Sequence, residues 1–310
     1  MAEFSEVLEK LTEGAELPPA EIAILSDLDR TQQTALEAAW PSIPDRTRIA
    51  LVTEAVRLAD ERVDVEFSRF AGVALQDPLA EARAAAIEAL RESTDPRTAQ
   101  LLVPILRDDP EEAVAAGAAE LLGAFVLRLE LGTLAEREGE PIIDGLRAVV
   151  SDMVRTPEVR AHALEALGPR SLPWVEALLL EAYYGDDETL RLSAVRAMGR
   201  SADERWIEYL LEQFEAGDPA FRLEAVIAVG EIGSEEAIDR IAELFVDDDE
   251  DIVKAAVQAA GEIGGEVATD YLNEFASEAP AEWGELIAEA LDAATVATFG
   301  EQEQEQEPEE

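Results

Sequence analysis

Four glycines fall on a strict 31-residue grid, and a chain under that constraint folds as stacked copies of one small unit. Gly168, Gly199, Gly230 and Gly261 each follow a polar helix-start residue by twelve positions, namely Thr156, Asp187, Asp218 and Asp249. The same offset aligns Ala163, Ala194, Ala225 and Ala256 in one column and Leu164, Val195, Val226 and Val257 in the next. A fixed period of this length marks repeated supersecondary units, each too small to bury its own apolar face.

Ala, Leu and Glu dominate the 310 residues, aromatics are 5%, and no segment alternates with period two, so the units are helical. Working back along the chain, further units start near Glu111, with Gly123 in the glycine column, and near Leu79, where Arg91 replaces the glycine. Six units therefore begin near residues 79, 111, 156, 187, 218 and 249. Each reads as helix A, a glycine turn and helix B. From Asp218, an Asp-Pro start caps helix A, Phe221, Ala225, Val226 and Val229 form its stripe, and Gly230 is expected to end it in the left-handed conformation. Ser234 is then expected to cap helix B, whose buried side is Ala237, Ile238, Ile241, Leu244 and Phe245.

The expected organisation has four parts. Residues 1–76, off the grid but with helices near 3–12, 19–27, 31–40, 45–60 and 65–75, read as an N-terminal helical capping module in which Trp40 is a core residue. Residues 77–279 form the array of about six units, with an insertion near 131–141 that reads as an extended loop or a short extra turn. Residues 280–299 read as a C-terminal capping helix, and 300–310, which lack any apolar side chain, as a disordered acidic tail.

The pattern around Gly230-Glu-Ile-Gly233 and Gly261-Glu-Ile-Gly264 resembles the short bacterial HEAT repeats called PBS-lyase-like, over roughly residues 79–275. The resemblance implies an all-α, right-handed α-solenoid (an ARM/HEAT-type superhelix) of stacked helical hairpins, with B helices lining the concave face. Relatives include phycobilin-attaching factors, deoxyhypusine hydroxylases and many scaffolds, so the fold does not decide the activity.

The hydroxylase relatives hold two irons with paired His-Glu dipeptides, whereas this chain has one histidine, His162, followed by Ala163. Asp247 to Asp251 lacks the glycine-centred calcium loop, no Walker loop or Gly-x-Ser-x-Gly elbow occurs, and there is no cysteine. No catalytic, cofactor-binding or metal-binding residue is expected, and the chain is read as not an enzyme. The absence of cysteine fits a reducing cytoplasm, and neither a secretory leader nor a membrane span is expected. The formal charge of −46 argues against nucleic acid and anionic membranes as partners, and it fits a basic protein partner as well as it fits a role in solubility or adaptation to salt.

Two polar patterns follow the grid. Arg83, Arg160, Arg191 and Arg222 recur in helix A, and a ladder of Asp187, Asp218 and Asp249 against Arg191 and Arg222 is expected to stitch units together. In helix B, Glu181, Glu212, Glu243 and Glu274 form one column, flanked by Glu208, Asp239 and Asp270, with Tyr209 and Tyr271 beside them. These nine residues are the candidate partner-binding set. They suggest a non-catalytic scaffold, monomeric, presenting an acidic concave groove to a basic protein segment. A chaperone or lyase-like factor for a tetrapyrrole protein is the alternative, and a metal-dependent maturation hydroxylase the remaining one.

Overall fold

The computed structural model describes residues 2–304, and their side chains from 3 to 296; every described element is helical. Packing divides the chain into two compact units, Met1–Ala166 and Leu167–Glu310.

The first unit contains α1 (Ala2–Thr12), α2 (Pro19–Ile22), α3 (Arg30–Ala39), α4 (Asp45–Glu61), α5 (Ser68–Ala74), α6 (Ala80–Glu88), α7 (Pro96–Asp108), α8 (Glu112–Glu130) and α9 (Glu136–Ser151), with α10 (Pro157–Leu167) at its end. Helices alternate between two rows. α2, α4, α6 and α8 pack in succession in one row, and α1, α3, α5, α7 and α9 in the other. The N-terminal helices lie close to their expected limits, and α4 and α5 pack directly on α6 and α7.

Trp40 is buried, and its indole Nε1 donates to Asp77 at 2.8 Å. Arg48 meets the same carboxylate through Nε at 2.5 Å and donates to the Ile43 carbonyl at 2.6 Å, while the Leu79 amide donates to Asp77 Oδ1 at 2.8 Å. A buried charge pair is tolerable only when its remaining polar atoms are satisfied in this way.

The extra residues after Gly123 do not form the extended loop expected over 131–141. They lengthen the helices instead: α8 has 19 residues, α9 has 16 and passes through Pro141, and only residues 131–135 link them. The cause is packing, because Leu129 and Leu134 are buried and Gly139 leaves the space that the Leu129 side chain fills.

The second unit holds α11 (Pro173–Tyr183), α12 (Glu188–Arg200), α13 (Ile207–Gln213), α14 (Pro219–Ile232), α15 (Ile238–Glu243), α16 (Glu250–Ile263), α17 (Gly265–Glu278) and α18 (Gly284–Gln304). Here α12, α14, α16 and α18 stack as the A row, and the shorter B helices pack against them. The core columns behave as the periodicity requires. Ala194, Ala225 and Ala256 are inaccessible, as are Val195, Val226 and Val257. Asp187, Asp218 and Asp249 cap α12, α14 and α16, each accepting from a first-turn amide at 2.9–3.1 Å. Ser234 precedes the turn into α15 but makes no side-chain cap.

Three of the four grid glycines do something other than end helices, whereas Gly168 directly follows the last residue of α10. α12, α14 and α16 run through Gly199, Gly230 and Gly261; the left-handed C-cap of α14 is Gly233, at φ 73°. A Cβ on Gly199 would lie 2.6 Å from Ala228 Cα, one on Gly230 2.9 Å from Ala259 Cα, and one on Gly261 2.8 Å from Ala290 Cα. The glycines are the points where successive A helices touch backbone to backbone, against an alanine column (Ala228, Ala259, Ala290) that also repeats every 31 residues.

The arginine column is also resolved differently. The N-cap aspartates are not the partners of these arginines, which meet other acceptors. Arg83 makes a two-pronged pair with Asp109, both bonds 2.7 Å, and Arg222 approaches Asp247 at 3.6 Å. Arg160 donates to the Val150 carbonyl at 2.9 Å, and Arg191 lies over the Phe221 ring at 4.8 Å. Asp77, Asp109 and Asp247 each accept from the amide two residues on, so one carboxylate shapes the turn and meets the preceding arginine. The acidic tail expected at 300–310 falls on the end of α18 as far as Gln304, and 305–310 lie outside the described residues.

Candidate functional site

The candidate set lies on the B helices of the second unit. α11 carries Glu181, α13 carries Glu208, Tyr209 and Glu212, α15 carries Asp239 and Glu243, and α17 carries Asp270, Tyr271 and Glu274. These helices expose the residues two positions beyond their buried leucine or isoleucine: Leu179, Leu210, Ile241 and Leu272 are inaccessible or nearly so, while all seven acids are exposed. Rotation of about 200° over two helical residues accounts for the contrast.

Charge on this row is one-sided. α11, α13 and α15 contain two acids each and α17 four, against a single basic residue, Arg240. Arg240 is held by Glu243 at 3.0 Å and Glu215 at 3.2 Å. Among the described residues Glu181, Glu208, Glu212, Asp270 and Glu274 form no ion pair.

The structure brings part of the set together in two places and, among the described residues, shows no contact that joins Glu181, Glu208 or Asp270 to them. In the first, the Tyr271 hydroxyl donates to Asp239 Oδ1 at 2.8 Å, tying α17 to α15. That hydrogen bond, followed by the charge of Asp239 and then of Glu274 and Glu243, raises the Tyr271 pKa. The second cluster surrounds Tyr209 and brings in residues that the grid did not single out. Tyr183, at the end of α11, is buried; its hydroxyl donates to the Tyr209 carbonyl at 2.8 Å and accepts from Gln213 Nε2 at 2.5 Å. Burial raises its pKa, and the Glu212 charge adds to the effect. Tyr209 also meets the rings of Tyr184 at 6.5 Å and Trp206 at 5.6 Å, edge to face. Tyr183 and Trp206 occupy the buried helix-B columns that also hold Phe245 and Ala237, while Tyr184 lies off them; the signal in the sequence was the Tyr183-Tyr184 pair itself, since the chain has only four tyrosines.

Among the described residues no three His, Asp or Glu side chains converge so as to hold a metal ion, and His162 is half-buried on α10. A cleft of about 870 Å³ lies in the first unit between the ends of α4 and α6 and the starts of α5 and α7; half of its lining side chains are charged. No helix among the described residues is long and apolar enough to cross a membrane.

Comparison with known families decides what these hairpins are. The HEAT repeats family matches residues 175–261 and 207–292, and the PBS lyase HEAT-like repeat family matches 82–108. The chain carries HEAT repeats. No curated protein matches it.

Among solved structures, this HEAT-repeat chain is similar to the complex of CpcE and CpcF of phycocyanin lyase from Nostoc sp. PCC7120, with 19% identity and a TM-score of 0.52 over 85% of this chain and 96% of that one. It is similar at 13% identity and a TM-score of 0.52 to the karyopherin Kap121p bound to the extreme C-terminus of the protein phosphatase Cdc14p, covering 97% of this chain and 39% of the karyopherin. Human deoxyhypusine hydroxylase aligns at 20% identity over 95% of this chain and 98% of that one, but its TM-score of 0.35 carries no argument. At these identities the likeness establishes an α-solenoid fold, and function rests on the site.

Proposed function

We propose that this HEAT-repeat protein is a non-catalytic interaction scaffold whose B-helix face in the second unit takes a basic segment of a partner protein. The observation that carries the reading is the one-sided charge of α11, α13, α15 and α17, which hold ten acids and one basic residue, Arg240, with Arg205 reaching Glu176 from outside these helices. Glu181, Glu208, Glu212, Asp239, Glu243, Asp270 and Glu274 supply the field, and Tyr209 and Tyr271 the flat contacts. Long-range attraction sets the encounter, and contacts spread over several repeats set the register. A tetrapyrrole-handling role calls for an apolar pocket, and the charged lining of the 870 Å³ cleft gives that reading no support.

The test is capture of partners from native extract at low and high salt, with the wild type beside a variant carrying Glu→Gln at 181, 212, 243 and 274. A basic partner held at low salt, released by salt and lost from the variant is the expected result. Equal capture by the variant refutes the acidic face as the binding surface.

A further inference from the structure

Tyr184 is a large aromatic side chain left 68% exposed at the end of α11, and it stands in a ring cluster. Its ring lies 5.1 Å from Tyr183 at 87° and 6.5 Å from Tyr209 at 68°, with Trp206 behind Tyr209. Tyr183 is fixed at the base by its two hydrogen bonds to α13, so the cluster is preformed rather than assembled on contact. Three of the chain's four tyrosines are spent on this one corner.

The surroundings select the occupant. Glu181 lies one helical turn before Tyr184, and Glu208 and Glu212 flank Tyr209 on α13; all three are exposed and without an ion pair among the described residues. Arg191, whose charge reaches Tyr183, is already seated on Phe221. Tyrosine faces rimmed by carboxylates attract a cation and repel an acidic surface, including a second copy of a chain with a charge of −46. Between the two cationic side chains, the guanidinium is planar, weakly hydrated and able to stack while its N–H groups meet carboxylates, which the compact ammonium does less well.

We infer that the corner formed by Tyr184 and Tyr209 is an arginine seat, taking one arginine side chain of the bound basic segment against the tyrosine rings, with Glu181, Glu208 and Glu212 as hydrogen-bond acceptors around it. The inference rests on the acidic face being the binding surface, and it adds a fixed arginine position to what is otherwise a diffuse attraction.

The test measures binding of labelled hexa-arginine and hexa-lysine peptides to the full chain at low salt by fluorescence anisotropy. Wild type is expected to prefer hexa-arginine by about five-fold, the scale of one partly desolvated cation–π contact. Tyr184→Ala removes that preference while leaving hexa-lysine affinity within about two-fold, and Tyr184→Phe, which keeps the ring, retains it. Tyr184→Ala weakening both peptides equally, or neither, overturns the arginine seat. Failure of the acidic face itself has a different signature: neither peptide binds the wild type, or the quadruple Glu→Gln variant binds both as well as the wild type does. Either of those results removes the seat along with the face.

Discussion

Single residues decide where this protein can least tolerate change, and Asp77 is the clearest. Its buried carboxylate serves Trp40, Arg48 and the turn at Leu79 together, so Asp77→Ala strands a buried guanidinium. The expected cost is about 3–5 kcal/mol, read as a fall in the urea midpoint. Tyr271 illustrates a milder linkage. Its hydroxyl is protonated and bonded to Asp239, and its folded-state pKa lies above the usual 10.0, so its stabilising contribution is complete below pH 10 and is lost as pH rises through the raised value. Burial shifts Tyr183 the same way. Absorbance titration at 295 nm should therefore show ionisation persisting above the usual tyrosine range, and Tyr271→Phe should reduce that late amplitude.

At the scale of elements, the second unit depends on how closely α12, α14 and α16 approach their neighbours. Gly230→Ala gains up to about 1 kcal/mol of helix propensity but drives a methyl group to within 2.9 Å of the Ala259 backbone. Backbone on the far side cannot swing away as a side-chain tip can, so overpacking of about 1–3 kcal/mol should win and the variant should melt earlier. A glycine acting as a helix C-cap at a positive φ would also lose stability on this change, so Gly217→Ala is the informative control. Nothing lies within 4 Å of that position, and the substitution should be close to neutral. The lengthened α8 and α9 make a related point, because the sequence between Leu131 and Pro141 looks like a loop by its polar residues and is read as helix only once Leu129 and Gly139 are seen to interlock.

For the molecule as a whole, charge is the dominant fact. A formal charge of −46 over 310 residues, with only 24 basic side chains, means that folding gathers carboxylates against mutual repulsion. Raising sodium chloride from about 10 mM, where the Debye length is about 30 Å, to 1 M, where it is about 3 Å, should therefore raise the denaturation midpoint. The Glu→Gln variant at 181, 212, 243 and 274 should show a smaller salt effect while being no less stable at low salt. Those four residues are exposed; among the described residues Glu181, Glu212 and Glu274 form no ion pair, and Glu243 has only the exposed one to Arg240. A loss of stability in that variant would mean the acids support the fold rather than face a partner.

Periodicity alone determined the repeat register, the aspartate caps of α12, α14 and α16, the inaccessible alanine and valine columns, and the exposed acids of the B helices. All of these are properties that a 31-residue spacing imposes identically on every unit. Tertiary structure alone decided features whose cause is not periodic or not local. A recurring glycine shows that a side chain is excluded, but only the packed helices show that the exclusion comes from Ala228, Ala259 and Ala290 and not from a turn. The arginine column fixed its donors, yet its acceptors (Asp109, the Val150 carbonyl, the Phe221 ring and Asp247) follow from how the turns and helices pack. Tyr184 meets Tyr209 across 25 residues, off the grid, so no column could have joined them. A repeat makes visible the contacts that every unit shares, and a binding site is specific because one unit departs from them.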